Sequence, residues 1–384
     1  MNVSSLSDVL DSWDLSVTVT LDVTRTDEAG TRERELRWRE LRRRLESEGA
    51  VPADLAVLDR VLAEPMGGGG AQTRFVAVRA GQVALDELFY EGSRAGAGSG
   101  AVGPIVDVIP LLSYRARHAP VVVVHADREG ADIEVVTAAD GPVEASASIH
   151  GSTEYVHKVK IGGWRHSHYQ RVSENVWRGN AEDAADEALR LFQEHSGKLV
   201  LLSGDVRARQ LVAAALPQRI PVQQVEGDTR AEGASTATVG VTLVRSLDEQ
   251  AARAEDEAVR RWLAVHNDER TRDRSTQDLP STVTAIRQGQ VEELLIVPAA
   301  LRSRPLEIGP SGTDLALPGS PRSWDGESRR APADLALLRA AVATGAEVQL
   351  VELESAVLSD GVAARLRWSS DPVPDPTNPT QPRS

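Results

Sequence analysis

Apolar residues recur along the chain with two periods, and the switch between them sketches the elements. Val17, Val19, Leu21 and Val23 alternate with β-branched Thr18 and Thr20, the signature of a strand. A charged helix is predicted over 31–48, its sparse apolar stripe being Leu36, Leu41 and Leu45. Residues 75–78 and 82–90 read as a hairpin around Arg79-Ala80-Gly81, and Ile105 to Ile109 as strand-like. The glycine runs 67–70 and 92–103 read as flexible loops.

After Pro120 the pattern restarts. Val121–His125 and Asp132–Thr137 form a predicted hairpin closed near Arg128-Glu129-Gly130. A polar loop is expected over 150–180. An amphipathic helix over 181–196 would follow, with Asn180 as its N-cap and Glu182, Asp183, Asp186 and Glu187 in its first two turns. Strand 199–203, helix 205–215 and strand 222–225 complete an α/β layer pattern. A Gly/Ala/Thr-rich linker is expected over 228–240. Beyond it come helix 247–266, helix 281–288, strand 293–297, a Pro/Gly/Ser-rich loop 302–332, helix 333–344 and strands 347–353 and 363–368. The tail from Asp371 has five prolines in fourteen residues and is expected to be disordered. The reading is therefore α/β in three domains: an α+β domain over 1–115, a central domain over 118–230 and a C-terminal α/β domain over 241–370.

Composition narrows the chemistry. Without a single cysteine, disulfides, thiolate catalysis, iron–sulfur clusters and Cys-type zinc sites are excluded. No cofactor and no metal are expected. No signal peptide and no run of about 18 apolar residues is visible, so a cytoplasmic protein without a membrane partner is expected, as a monomer. The formal net charge of −14 argues against nucleic acid on average, although an average hides local patches.

One patch stands out. Between His157 and Arg178 lie Lys158, Lys160, Arg165, Arg171 and Arg178 against a single acid, Glu174, for a local charge of +4. Two of the chain's three lysines fall here, interleaved with Trp164, Tyr169 and Trp177. Aromatic planes stack bases while cations hold phosphates, which suits irregular or single-stranded RNA. Gly162-Gly163 lets backbone approach a ligand closely. The plain alternative is a surface loop whose tryptophans pack on their own domain. His157, His166 and His168 cluster within twelve residues, but no cysteine or clear carboxylate completes a zinc set, and solvated or RNA-facing histidines are the preferred reading. Asp127, Asp132 and Glu134 read as solvated hairpin-end residues rather than a nuclease cluster. Gly98-Ser99-Gly100-Ala101-Val102-Gly103 fits G-x-G-x-x-G literally, yet Pro104 follows where a helix would have to open, so it is no dinucleotide site. The seven arginines between Arg32 and Arg44 read as a salt-bridged helix, with a second RNA-facing patch as the alternative.

Lys160-Ile161-Gly162-Gly163-Trp164-Arg165-His166, with Gln170-Arg171 and Glu174-Asn175 behind it, resembles the central domain of archaeo-eukaryotic class-one release factors and Pelota, and in particular their bacterial release-factor-like branch, which includes Balon-like hibernation factors. The resemblance spans about 120–225. It is weaker in the third segment, through Gly289 to Ile296, which is similar to the family's kink-turn-binding ribosomal-protein-like domain. The resemblance implies an RNase-H-like central domain and a ribosome-binding translation factor that occupies the A site, in hibernation or rescue. The RNA-binding set would be Lys158, Lys160, Trp164, Arg165, His166, His168, Tyr169, Arg171 and Arg178. It also implies delivery by elongation factor Tu or a related GTPase. In members that hydrolyse peptidyl-tRNA the tip reads Gly-Gly-Gln, and here Trp164 stands in the glutamine's place. Tryptophan has one N–H donor and no acceptor to position a water. Peptide release is therefore not expected; the alternative is an ester hydrolase using Gly162, Gly163 and Gln170.

Overall fold

The computed structural model describes residues 4–24, 28–64, 71–91, 98–127, 129–138, 141–150, 164–225, 235–352, 358 and 360–369, with no side-chain description at 4, 28–31, 164–175 and 235–239. It divides into two compact units. One holds residues 1–68, 72–114 and 252–384; the other holds 69–71 and 115–251.

The N-terminal segment opens with α1 (Ser7–Asp11) and β1 (Ser16–Asp22). Next come α2 (Glu28–Ser47), α3 (Pro52–Ala63), β2 (Thr73–Arg79), β3 (Gln82–Phe89), β4 (Gly98–Gly103) and α4 (Ile109–Arg117). The four strands form an antiparallel sheet in the order β3-β2-β1-β4. Val17, Val19, Leu21, Val76 and Val78 turn one face toward α2 and α3. Ala80 and Gly81 both have positive φ, 50° and 74°, the two-residue turn whose twist suits a hairpin.

Three expectations change here. The glycine-rich run 98–103 is a strand rather than a loop, because helix α2 crosses it closely. A Cβ on Gly100 would meet Leu45 Cδ2 and the Thr18 carbonyl at 3.1 Å and Leu41 Cδ1 at 3.2 Å. Residues 105–108 are not a strand but lead into α4. The buried row of α2 is Arg34, Leu41 and Leu45 with half-buried Trp38, whereas Leu36 is 57% exposed. The four-residue steps 34–38 and 41–45 outrank the hydropathy of Leu36 alone.

The central unit contains β5 (Val121–Ala126), β6 (Gly130–Val136), β7 (Val143–His150), α5 (Trp164–Glu194), β8 (Leu199–Gly204), α6 (Val206–Ala215) and β9 (Val222–Gln224). Their sheet has the order β7-β6-β5-β8-β9, with β6 antiparallel to β5 and β7, and with β5, β8 and β9 parallel. Third-second-first-fourth-fifth, with the second strand reversed, is the RNase-H-like arrangement. The unbroken valine run of β5 reflects burial on both faces. Val122 and Val124 face α5, while Val121 and Val123 pack with Leu243 and Leu247 of α7 (Ser235–Asn267). The boundary between the units falls within α7. This helix starts at Ser235, inside the segment expected to be a linker.

The C-terminal segment adds β10 (Ser275–Thr276), α8 (Leu279–Arg287), β11 (Val291–Ile296), α9 (Pro298–Leu301), β12 (Pro305–Ile308), β13 (Leu315–Ala316) and β14 (Arg329–Pro332). It closes with α10 (Ala333–Thr344), β15 (Glu347–Leu350) and β16 (Val362–Leu366). One sheet runs β10-β16-β11-β15, and a small sheet β13-β12-β14 occupies the span expected as a long loop. Its strands are only two to four residues long, with Pro305 and Pro332 at their ends, so no alternation could declare them.

The N- and C-terminal segments share one core. Leu6, Leu10, Phe75, Val106 and Leu111 lie in the same buried cluster as Leu294, Leu335 and Leu338. Two arginines, one buried and one half-buried, pin the join. Arg339, 1% exposed, donates to the carbonyls of Leu10 (3.1 Å), Asp11 (2.9 Å), Gly309 (3.0 Å) and Pro310 (2.7 Å). Arg302 grips both oxygens of Asp107, at 2.6 and 3.1 Å, and sits 2.9 Å from Oδ2 of the fully buried Asp334. Burial pushes the Asp334 carboxyl up to about 6, against the pull of Arg302.

Candidate functional site

The basic segment lies between β7 and α5. Strand β7 pairs with β6 from Val136↔Val143 to Gly130↔His150, so the chain leaves the sheet at His150. It re-enters described structure at Trp164, the first residue of α5. His157, Lys158, Lys160, Gly162 and Gly163 lie outside the described residues. The remaining members of the set are all on the helix: Trp164, Arg165, His166, His168, Tyr169, Gln170, Arg171 and Arg178.

This is the main departure from the sequence reading, which put a loop as far as 180 and a cap at Asn180. The helix starts sixteen residues before Asn180, which is a buried mid-helix residue. No proline interrupts 164–216, and Gly179 weakens a helix by only about 1 kcal/mol, a cost that packing from Ala181 onward outweighs. Glu182, Asp183, Asp186 and Glu187 therefore sit in mid-helix, and the first turn of α5 carries no acid at all. The positive end of the helix dipole is left without a local counter-charge, immediately after Gly162-Gly163. Arg190 hydrogen-bonds Glu187 at 2.7 Å and holds that carboxyl below the usual range, a solvated pair well away from the tip.

Among the described side chains of the helix, Asn180 is the first that is buried. Ala181, Ala184, Ala185, Ala188 and Leu191 bury against Val122, Val124, Ile133 and Val135. From Trp164 to Asn180 the helix runs ~24 Å. At 3.6 residues per turn, positions 164, 168, 171 and 178 fall on one row. Arg178, the member of that row whose side chain is described, is exposed. Gln170 lies six residues into α5, ~9 Å along its axis from Trp164 and on a different row. The histidine cluster is split between the helix (His166, His168) and the segment outside the described residues (His157), and no metal-ligating group occurs among the described residues. Asp127 closes its turn by accepting from the Glu129 and Gly130 amides at 2.7 and 2.9 Å, and Asp132 accepts from Ser148 Oγ at 2.9 Å. These are the bonds of hairpin-end residues. Among the described residues no helix is long and apolar enough to cross a membrane.

Residues 120–268, which include the whole of this sheet, the basic segment and α5, match the model of bacterial archaeo-eukaryotic release factor family 2. This central stretch of the chain is similar to the bacterial archaeo-eukaryotic release-factor-like family. The uncharacterized protein Rv2629 of Mycobacterium tuberculosis strain H37Rv is 27% identical over 346 residues, spanning 88% of this chain and 89% of its own. Its counterpart in strain CDC 1551 / Oshkosh gives the same figures. Among solved structures, a model of ribosome-bound archaeal Pelota and ABCE1 aligns over 95% of this chain and 93% of its own, at 16% identity and a TM-score of 0.45. Dom34 of S. cerevisiae, a termination-like factor interacting with Hbs1, aligns over 79% and 80%, at 13% identity and a TM-score of 0.42. Trp164, which the sequence reading set in the place of the tip glutamine, is the residue that starts α5.

Proposed function

We propose that this release-factor-like protein binds the ribosome, occupies the A site in hibernation or rescue, and does not release peptide. The observation that carries the reading is the family match across residues 120–268, within which the tip's third residue is Trp164 instead of glutamine. An indole offers one donor and no acceptor, so it cannot orient water against an ester as a carboxamide does. A 31-residue helix whose sequence before Asn180 is rich in cations and aromatics suits a probe that reaches into an RNA channel. Gln170 does not rescue catalysis, since ~9 Å of helix separates it from Trp164. Delivery by elongation factor Tu or a related GTPase is part of the proposal.

The test is direct. Full-length protein is sedimented with ribosomes from stationary cells at low salt and should travel with the 70S peak; protein left at the top of the gradient refutes the reading. Labelled peptidyl-tRNA on the same ribosomes should stay intact. Stoichiometric peptide release would instead establish the hydrolase.

A further inference from the structure

Helix α2 carries seven arginines and five glutamates, and the structure sorts them into two groups. Arg37 pairs with Glu33 at 2.6 Å, Arg42 with Asp59 at 3.0 Å and Glu46 at 3.5 Å, and Arg44 with Glu48 at 3.4 Å; Arg34 is buried. Arg32, Arg39 and Arg43 are exposed and make no ion pair among the described residues. With Leu36, 57% exposed, they occupy positions i, i+4, i+7 and i+11. That is one straight row, opposite the buried row of Arg34, Leu41 and Leu45. The row spans ~16 Å.

We infer that this row is a sequence-independent docking surface for the phosphate backbone of duplex RNA. In a chain of net charge −14, three guanidinium groups in line, with no ion pair among the described residues, are complementary to a polyanion. Glu33, Glu46 and Glu48 are engaged with the other arginines of α2. Glu35 and Glu40 flank the row, but neither lies within 4.0 Å of its arginines, and the longer guanidinium arms reach past them. Leu36 contributes no hydrogen-bonding group, so the row grips phosphates and does not read bases. The inference goes beyond the ribosome reading: it concerns the other unit and needs no tip residue.

The full chain, titrated with a fluorescent mixed-sequence RNA duplex of about 16 base pairs over a range of KCl, provides the test. Wild-type protein should bind. Arg32→Gln/Arg39→Gln/Arg43→Gln should lose at least tenfold in affinity and flatten the plot of log K against log salt by about two to three, one phosphate contact per arginine. Arg32→Lys/Arg39→Lys/Arg43→Lys should keep the slope, which separates lost charge from lost folding. Failure of wild-type protein to bind the duplex overturns the inference, as would be seen if the row served an acidic protein partner. Equal affinity and slope for wild type and the triple glutamine variant overturns it as well.

Discussion

Arginine does different work where the two ends of the chain join and along helix α5. In the unit built from the chain's two ends, Arg339, Arg302 and Arg74 are consumed inside the structure: Arg339 on four carbonyls, Arg302 on Asp107 and Asp334, and Arg74 on Asp86 at 2.7 Å. In the central unit Arg209 is also buried, on the Val225 carbonyl, but the packed face of α5 is aliphatic and the cations of that helix gather in its sequence before Asn180. Stability and recognition are thereby separated along the chain. Substitutions at the three inward-facing arginines Arg339, Arg302 and Arg74 should unfold the first unit without touching a recognition surface, and those before Asn180 should do the reverse.

The sharpest test of that separation is Arg339→Ala. It strands four carbonyls, two of them across 328 residues or more of sequence, and removes a buried charged donor set. The expected loss is about 3–5 kcal/mol, seen as an early transition in urea by tryptophan fluorescence. A midpoint unchanged from wild type would mean that the apolar core alone joins the two ends.

The next effect depends on pH. Burial raises Asp334 to about 6 in the fold from an unfolded value near 4, so the native state holds the proton more tightly than the unfolded chain does. Its contribution is fully present below about pH 4 and is lost as pH rises through about 6. Other carboxylates are shifted the opposite way, among them Asp360, whose charge is favoured by the Leu279 amide and Arg304. The readout is therefore the difference between wild type and Asp334→Asn. Between pH 4 and 7 the variant should gain about 2 kcal/mol relative to wild type, measured by urea melts at each pH. A flat difference would show that Arg302 holds Asp334 ionised throughout.

Gly100→Ala comes third. Its new Cβ meets Leu45, Leu41 and the Thr18 carbonyl at 3.1–3.2 Å, so α2 must shift or the strand must bend. A loss of about 1–2 kcal/mol is expected in thermal unfolding, and a neutral result would show that α2 moves freely over β4.

This glycine also shows what the sequence could and could not declare. Strand β5 is legible because four consecutive valines have few other uses, and α10 because Ala333 to Thr344 is apolar on nearly every side. β4 is illegible, since its glycines exist for the helix above it and carry no side chains to alternate. α3 was there to be read: Pro52 stands in its first turn, with Leu55, Leu58, Val61 and Leu62 at helical spacing. Arg339 gave its own warning as one charge within an apolar helix, though its four acceptors lie on segments that no local pattern connects. At the candidate site, the residue types were visible but their shape was not. The polar stretch 150–180 read as a loop and Asn180 as an N-cap, and only the unbroken α5 shows that the segment from Trp164 onward is helix.

The smallest expected change in stability carries the largest consequence for function. Lys158→Gln/Lys160→Gln/Arg171→Gln removes three cations that precede Asn180, the first buried residue described on α5, and the unfolding free energy should move by no more than about 0.5 kcal/mol. If those cations hold ribosomal phosphates, sedimentation with ribosomes should weaken at least tenfold, and its decline with salt should become shallower by about two to three in log–log slope. Retained binding with lost stability would reverse the division of labour between the two units: the segment before Asn180 would be packing on its own domain, and the arginines of the first unit would have to carry the RNA.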